Sequence, residues 1–182
     1  FLDDAKDLCE IQGWYYQFKG RNSIPLKLLM ALNNWEAWRK DAQLNHLEIK
    51  NIYEYLGSHV LPGFQKGKTL HSDTKYLMRD CRAEHGLVTD SVWYEAFEGL
   101  DNMTETYIRN MRANGEMINK NPRIIMSTIH GAKGGEADKV LLMQDITNAA
   151  LETFSHDPDE LHRLFYTGAT RAKRELHVLD PK

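Results

Sequence analysis

Apolar positions along the chain change their period repeatedly. Residues 4–12 carry the spacing of a helix end and Gly13 stops it. Trp14, Tyr15, Tyr16 and Phe18 then make a short aromatic run with strand character before Lys19 and Gly20. From Ser23 the period becomes helical. Pro25 stands where a first turn tolerates it, and Leu26, Leu29, Met30, Leu32, Trp35 and Trp38 predict a long amphipathic helix. Further helices are expected at about 46–56, at 73–85 with Ser72 as N-cap and Gly86 as stop, at 90–98, and at 102–113 closed by Asn114 and Gly115. After Asn121 and Pro122 the pattern shifts again. Residues 123–129 and 139–143 are apolar runs suited to buried strands, Asp157 and Pro158 open a helix through about Tyr166, and 175–179 reads as another strand.

Strand, loop, strand, helix, strand implies an α/β layer. The simplest architecture is an α/β domain made from residues 1–22 and 122–182, interrupted over 23–121 by a mostly helical insertion. There are no internal repeats and no low-complexity segments.

Composition narrows the classes. With 42% hydrophobic residues the chain of 182 can bury a good core. A formal charge of -3 and a pI near 6.3 give no bulk basic field, so any contact with nucleic acid must be local and geometrical. Cys9 and Cys81 stand outside any CxxC pattern, which suits a reducing compartment, the cytoplasm of a bacterium or of a phage host. No apolar run approaches the roughly 18 residues of a membrane span, so no membrane partner is expected. The chain begins at Phe1, which is the expectation for a piece of a longer protein.

Two glycine-containing stretches are candidates for phosphate handling. Residues 63–69, GFQKGKT, resemble a Walker A loop, but only three residues separate the glycines where four are needed, and no strand precedes them. No other Walker A occurs and no apolar strand ends in Asp-Glu, so this chain by itself is expected not to hydrolyse nucleotide. Residues 127–142, STIHGAKGGEADKVLL, follow a predicted strand, and Gly131, Gly134 and Gly135 let the backbone approach a ligand closely. His130 and Lys133 add donors and Glu136 an acceptor. On composition alone a glycine-rich surface turn between strands is the favoured reading of the same residues. Farther on, Arg171, Lys173 and Arg174 follow an apolar helix, where basic residues can satisfy helix-terminal carbonyls or face water. Cys81 and His85, four apart, are half of a metal site with no second pair at ligand spacing, so no metal is expected. Trp35 and Trp38 form an aromatic stripe suited to the core, although an exposed tryptophan could stack on a base.

Taken in order, STIHGAKGGEADKVLL and, about two dozen residues later, RLFYTGATRAKRELHVL (163–179) resemble motifs V and VI of the UvrD/Rep/PcrA-like superfamily 1 DNA helicases. In that family these read T-V-H-x-A-K-G-L-E and Y-V-A-x-T-R-A-K/R, each followed by an apolar strand. The likeness is close over 123–180, and residues 8–24 look like the passage that precedes subdomain 2B. The resemblance implies the C-terminal region of an ATP-dependent helicase. Residues 1–22 and 122–182 would form the second RecA-like (2A) domain, a P-loop NTPase-type parallel-sheet domain lacking its own P-loop, and 23–121 a 2B-like helical insertion.

Residue by residue, the resemblance implies that Arg171 reaches the γ-phosphate of ATP as an arginine finger. Glu136 matches the glutamate that contacts the nucleotide sugar. Thr128 and His130 match residues on the single-stranded DNA backbone, and Lys133 and Gly134 shape the loop between the two sites. ATP with Mg2+ would be held mainly by the N-terminal ATPase domain of the same protein. The other partner would be single-stranded or duplex DNA. Gly135 departs from the pattern, standing where leucine is usual and loosening the turn. Two rival readings keep the same fold: a non-catalytic nucleic-acid or protein-binding module, and the motor portion of a helicase-nuclease.

Overall fold

The computed structural model describes residues 2–57, 60, 70–116, 121–146, 151–152 and 157–180. The Walker-like residues 63–69 lie outside them. In chain order the elements are α1 (Leu2–Gln12), β1 (Tyr16–Phe18), β2 (Arg21–Asn22), α2 (Leu26–Trp38), β3 (Leu44–Asn45), α3 (His46–Tyr53), β4 (Lys75–Tyr76), α4 (Met78–Glu84), α5 (Trp93–Ala96), α6 (Asn102–Ala113), β5 (Ile124–Met126), β6 (Ala137–Met143), α7 (Pro158–Ala169) and β7 (Ala172–Leu179). The class is mixed α/β. The chain divides into two compact units, Phe1–Gln17 with Arg21–Ile124, and Phe18–Gly20 with Ile125–Lys182. One three-stranded sheet has the order β2-β1-β5. No helix among the described residues is long and apolar enough to cross a membrane.

The first unit is built around α2, whose buried residues are Leu28, Leu29, Ala31, Leu32, Trp35 and Trp38. At 100° per residue these form one face. Leu26 and Met30, expected on it, fall on the opposite side and are 59% and 50% exposed. Ile49, Ile52 and Tyr53 of α3 are buried as well, and α3 opens with a capping box in which Asn45 accepts from the Leu47 and Glu48 amides while Glu48 accepts from the Asn45 amide. The helix expected over 73–85 starts late. Residues 75–76 pair antiparallel with β3 (Leu44 opposite Tyr76), so the helix begins at Met78, where the Asp80 carboxylate accepts from the Leu77 amide at 3.1 Å. Only four residues of the expected 90–98 helix are helical.

Polar side chains of α6 hold the end of α1. Tyr107 donates to the Trp14 carbonyl at 2.8 Å, Asn110 to that of Ile11 at 3.3 Å, and Asn114 to that of Gln12. The helix closes at Gly13, φ +65°, with the Trp14 amide returning to the Cys9 carbonyl at 2.8 Å. A Cβ on Gly13 would lie 2.7 Å from the Met111 amide nitrogen in α6. Gly13→Ala therefore meets two penalties, a left-handed backbone worth about 1–2 kcal/mol and a clash with backbone that cannot rotate away. It is expected to lower the urea midpoint of the chain by more than its φ alone requires, and Gly13→Asn, which tolerates that φ better, to fail equally because the clash remains.

In the second unit β6 and β7 run parallel, with Val140 opposite Leu176, Leu142 opposite Val178 and Met143 opposite Leu179. The parallel pairing requires a crossover, and α7 lies within that connection. Asp157 caps α7, its carboxylate accepting from the Asp159 and Glu160 amides. Gly168 sets how closely α7 approaches β6: a Cβ there would stand 2.9 Å from Leu142 Cδ1. The helix runs to Ala169 and is capped by Thr170, beside Arg171.

Candidate functional site

The glycine-rich loop follows β5 and folds on itself before β6 begins. Thr128 starts the turn, its hydroxyl accepting from the Gly131 amide at 3.1 Å and its carbonyl from the Ala132 amide at 3.0 Å. A single 3-10 turn spans His130–Ala132. Gly134 then takes φ +83°, a conformation that costs an L side chain about 1–2 kcal/mol. This reverses the chain and lets the Gly135 amide return to the Ala132 carbonyl at 3.0 Å.

Gly135, expected to loosen the turn, is held at both sides. Its amide makes the bond just described, and its carbonyl accepts from Arg171 Nη1 at 3.2 Å. The next link is main chain to main chain, from the Ala137 amide to the Arg171 carbonyl at 3.0 Å, and it opens the β6–β7 ladder. The loop and the end of α7 are thus joined through one residue, Arg171, by both its backbone and its side chain.

Arg171 is half-buried and makes three side-chain hydrogen bonds. Nε donates to the Thr167 carbonyl at 3.1 Å, Nη1 to Gly135, and Nη2 to the Thr170 hydroxyl at 3.2 Å. The first of these satisfies a helix-terminal carbonyl, one of the two roles open to a basic residue at this place. An arginine carries five N–H donors in a planar fork. Two are left without a partner among the described residues, and no carboxylate among those residues pairs with the guanidinium. The fork can therefore accept an anionic oxygen without breaking any bond it now makes.

Glu136 is 56% exposed at its side chain and pairs with Lys173 at 3.1 Å. It is the first rung of a series across the parallel strands, followed by Asp138 with Arg174 at 3.6 Å and Lys139 with Glu175 at 2.8 Å. The Lys139 ammonium donating to Glu175, with His177 Nε2 3.5 Å from the same carboxylate oxygen, holds the Glu175 carboxyl below its ordinary range. Lys173 had a place in the sequence only as one of three basic residues. The missed signal was register: opposite charges recur at matching positions on two strands that pair in parallel.

His130 and Lys133 are exposed and make no side-chain hydrogen bond or ion pair among the described residues. Thr128 is exposed too, with its hydroxyl turned into the loop. The structure thus bonds Gly135 to Arg171, while Gly134 and Glu136 flank Gly135 in the chain and Glu136 pairs with Lys173. No hydrogen bond among the described residues joins Thr128 or His130 to Arg171.

The remaining candidates have structural surroundings. Cys81 is fully buried, and burial pushes its thiol up to about 11. His85 packs edge-on against Tyr76 with ring centroids 5.2 Å apart. Among the described residues no group of three or more His, Cys, Asp or Glu could hold a metal ion. Trp35 and Trp38 are completely buried and have no face for a base.

The family model of the UvrD-like helicase C-terminal domain matches residues 64–180, well over half of the chain, and that span contains both the glycine-rich loop and Arg171. No curated protein and no solved structure matches the chain.

Proposed function

Because the chain belongs to the UvrD-like helicase C-terminal domain family, we propose that it is the C-terminal part of an ATP-dependent DNA helicase or translocase, and that residues 122–182 with 1–22 are its second RecA-like domain. The observation that carries this reading is the state of Arg171. It is anchored to the glycine-rich loop at Gly135, and two of its donors remain unengaged among the described residues.

ATP with Mg2+ supplies a γ-phosphoryl group whose transfer spreads negative charge over its oxygens. The donor set of this chain fits that group. Arg171 offers a permanently charged planar fork, already oriented by three bonds, so little ordering is left to be done when an oxygen arrives. Glu136 keeps acceptor capacity beyond its bond to Lys173 and is suited to a sugar hydroxyl. The Walker A loop, the nucleotide phosphates and the metal ion belong to the N-terminal ATPase domain of the protein. His130 and Lys133, exposed on the other stretch of the loop, and Thr128 where the loop begins, contact the backbone of single-stranded DNA. The bond from Arg171 to Gly135 then makes one loop answer to both sites, so a grip on DNA and a grip on phosphate are mechanically linked.

The exposed apolar residues of the parallel pair support a larger domain. Leu141 is 63%, Val178 48% and Leu176 41% exposed, whereas parallel strands are ordinarily buried on both faces.

The test uses the protein that joins this chain to its ATP-binding domain. ATP hydrolysis is measured with and without single-stranded DNA, and duplex unwinding is followed alongside. DNA-stimulated turnover with strand separation is expected, and the 182-residue chain by itself should show neither. Turnover that ignores DNA would overturn the translocase reading, and no turnover alongside tight DNA binding would replace it with that of a non-catalytic binding module.

A further inference from the structure

Beyond the arginine itself, we propose that Thr170 is a positioning residue, whose hydroxyl acts with the Gly135 carbonyl to set the plane in which Arg171 presents its free donors. The inference rests on the proposed role of Arg171 and adds a residue to which neither the sequence pattern nor the family match gives a task.

The geometry is a closed set of bonds. The Thr170 hydroxyl donates to the Thr167 carbonyl at 3.0 Å, which leaves its lone pairs to accept from Arg171 Nη2 at 3.2 Å. The same Thr167 carbonyl also accepts from Arg171 Nε at 3.1 Å. Gly135, from the loop, takes Nη1 at 3.2 Å. Three acceptors on three nitrogens of one planar group determine its position and its tilt. The Thr167 carbonyl alone would leave the guanidinium free to swing about Nε. Thr170 removes that freedom from the helix side and Gly135 from the loop side.

The helix end is itself fixed. The Thr170 amide bonds the Tyr166 carbonyl at 3.0 Å, and the Thr167 hydroxyl bonds the Arg163 carbonyl at 2.8 Å. The seat is therefore built on ordered backbone rather than on another mobile side chain. Valine at 170 keeps the shape and loses both hydroxyl bonds, while serine keeps both.

The experiment has two arms. In the 182-residue chain, solvent exchange of the Arg171 Nε–Hε proton is followed by 15N NMR, the signal being assigned by its loss in Arg171→Ala. Thr170→Val is expected to speed that exchange by about tenfold, since exchange follows the population in which the bonds are open. Thr170→Ser should stay within about twofold of wild type by the same measure. In the protein with its ATP-binding domain, Thr170→Val is expected to lower DNA-stimulated kcat by about tenfold at unchanged KM for ATP, with Thr170→Ser restoring it. Unaltered exchange and kcat in Thr170→Val would overturn the inference. So would a loss shared by kcat and the melting temperature that serine does not rescue, because that is the mark of a structural role. If Arg171→Ala turns over normally, the arginine-finger role on which the inference rests falls, and the exchange arm still decides whether Thr170 seats the arginine.

Discussion

Arg171→Ala, in the protein that joins this chain to its ATP-binding domain, is expected to lower DNA-stimulated ATP hydrolysis by about a thousandfold or more while ATP still binds. The size follows from what the guanidinium offers. It is a charge that cannot be neutralised at working pH, held in a fork with two N–H donors unengaged among the described residues, and its service falls in the transition state rather than the ground state. Loss of such a group appears in kcat and spares nucleotide affinity. Arg171→Lys separates charge from geometry, because an ammonium keeps the charge but cannot reach Thr167, Thr170 and Gly135 together. It should recover little. The alanine variant also removes a helix-end cap and the tie to Gly135, so its melting temperature is measured beside its turnover. A fall in turnover with a small change in melting isolates the chemical role, and near-normal turnover would end the arginine-finger assignment.

That assignment draws on a motif that was legible as order and spacing, while the bonding within it was not. Gly135 shows the difference. Read as a residue type, glycine in place of leucine meant a lost apolar anchor. In the fold its carbonyl is an anchor for Arg171, and a carbonyl has no letter in a sequence. Thr170 and Thr167 were hidden in the same way, since their contribution depends on Arg171 folding back over the last turn of α7. The β6–α7–β7 alternation could be read from apolar runs, but the burial those runs predicted is not found, since Leu142 is the one buried residue of the two strands.

The helical half was legible in its helices and not in its small strands. Two-residue pairings such as β3 with β4 carry no period at all, so residues 73–77 were absorbed into the helix that follows. The end of α1 was visible as Gly13. What holds it, the Tyr107, Asn110 and Asn114 side chains, is close to a hundred positions away in the chain. Periodicity reports which face of an element is apolar and is silent on which distant polar groups meet it.

Trp35→Ala is expected to cause one of the largest losses of stability among single substitutions in the helical unit. Trp35 and Trp38 are both completely buried, with their rings 6.2 Å apart at 71°, and Phe97 lies 5.9 Å from Trp35 at 68°. Removing a buried indole leaves a cavity that rigid neighbours cannot fill, a loss of about 3–5 kcal/mol. A second loss is polar. The Trp35 N–H donates to the Ser91 carbonyl at 3.1 Å, just as that of Trp38 donates to Tyr76 at 3.0 Å, so each indole fixes a segment outside α2 to the core. Depriving the Ser91 carbonyl of its donor adds about 1–3 kcal/mol wherever water does not reach it. Together these approach the whole stability of an ordinary domain, about 5–15 kcal/mol, and the variant should lose the near-ultraviolet signal of its packed aromatics and unfold at low urea. Trp35→Phe divides the two terms. It keeps most of the ring and none of the donor, so a loss of about 1–3 kcal/mol would match the hydrogen bond to Ser91. A phenylalanine variant as unstable as the alanine one would instead mean that shape against Trp38 and Phe97 decides the matter.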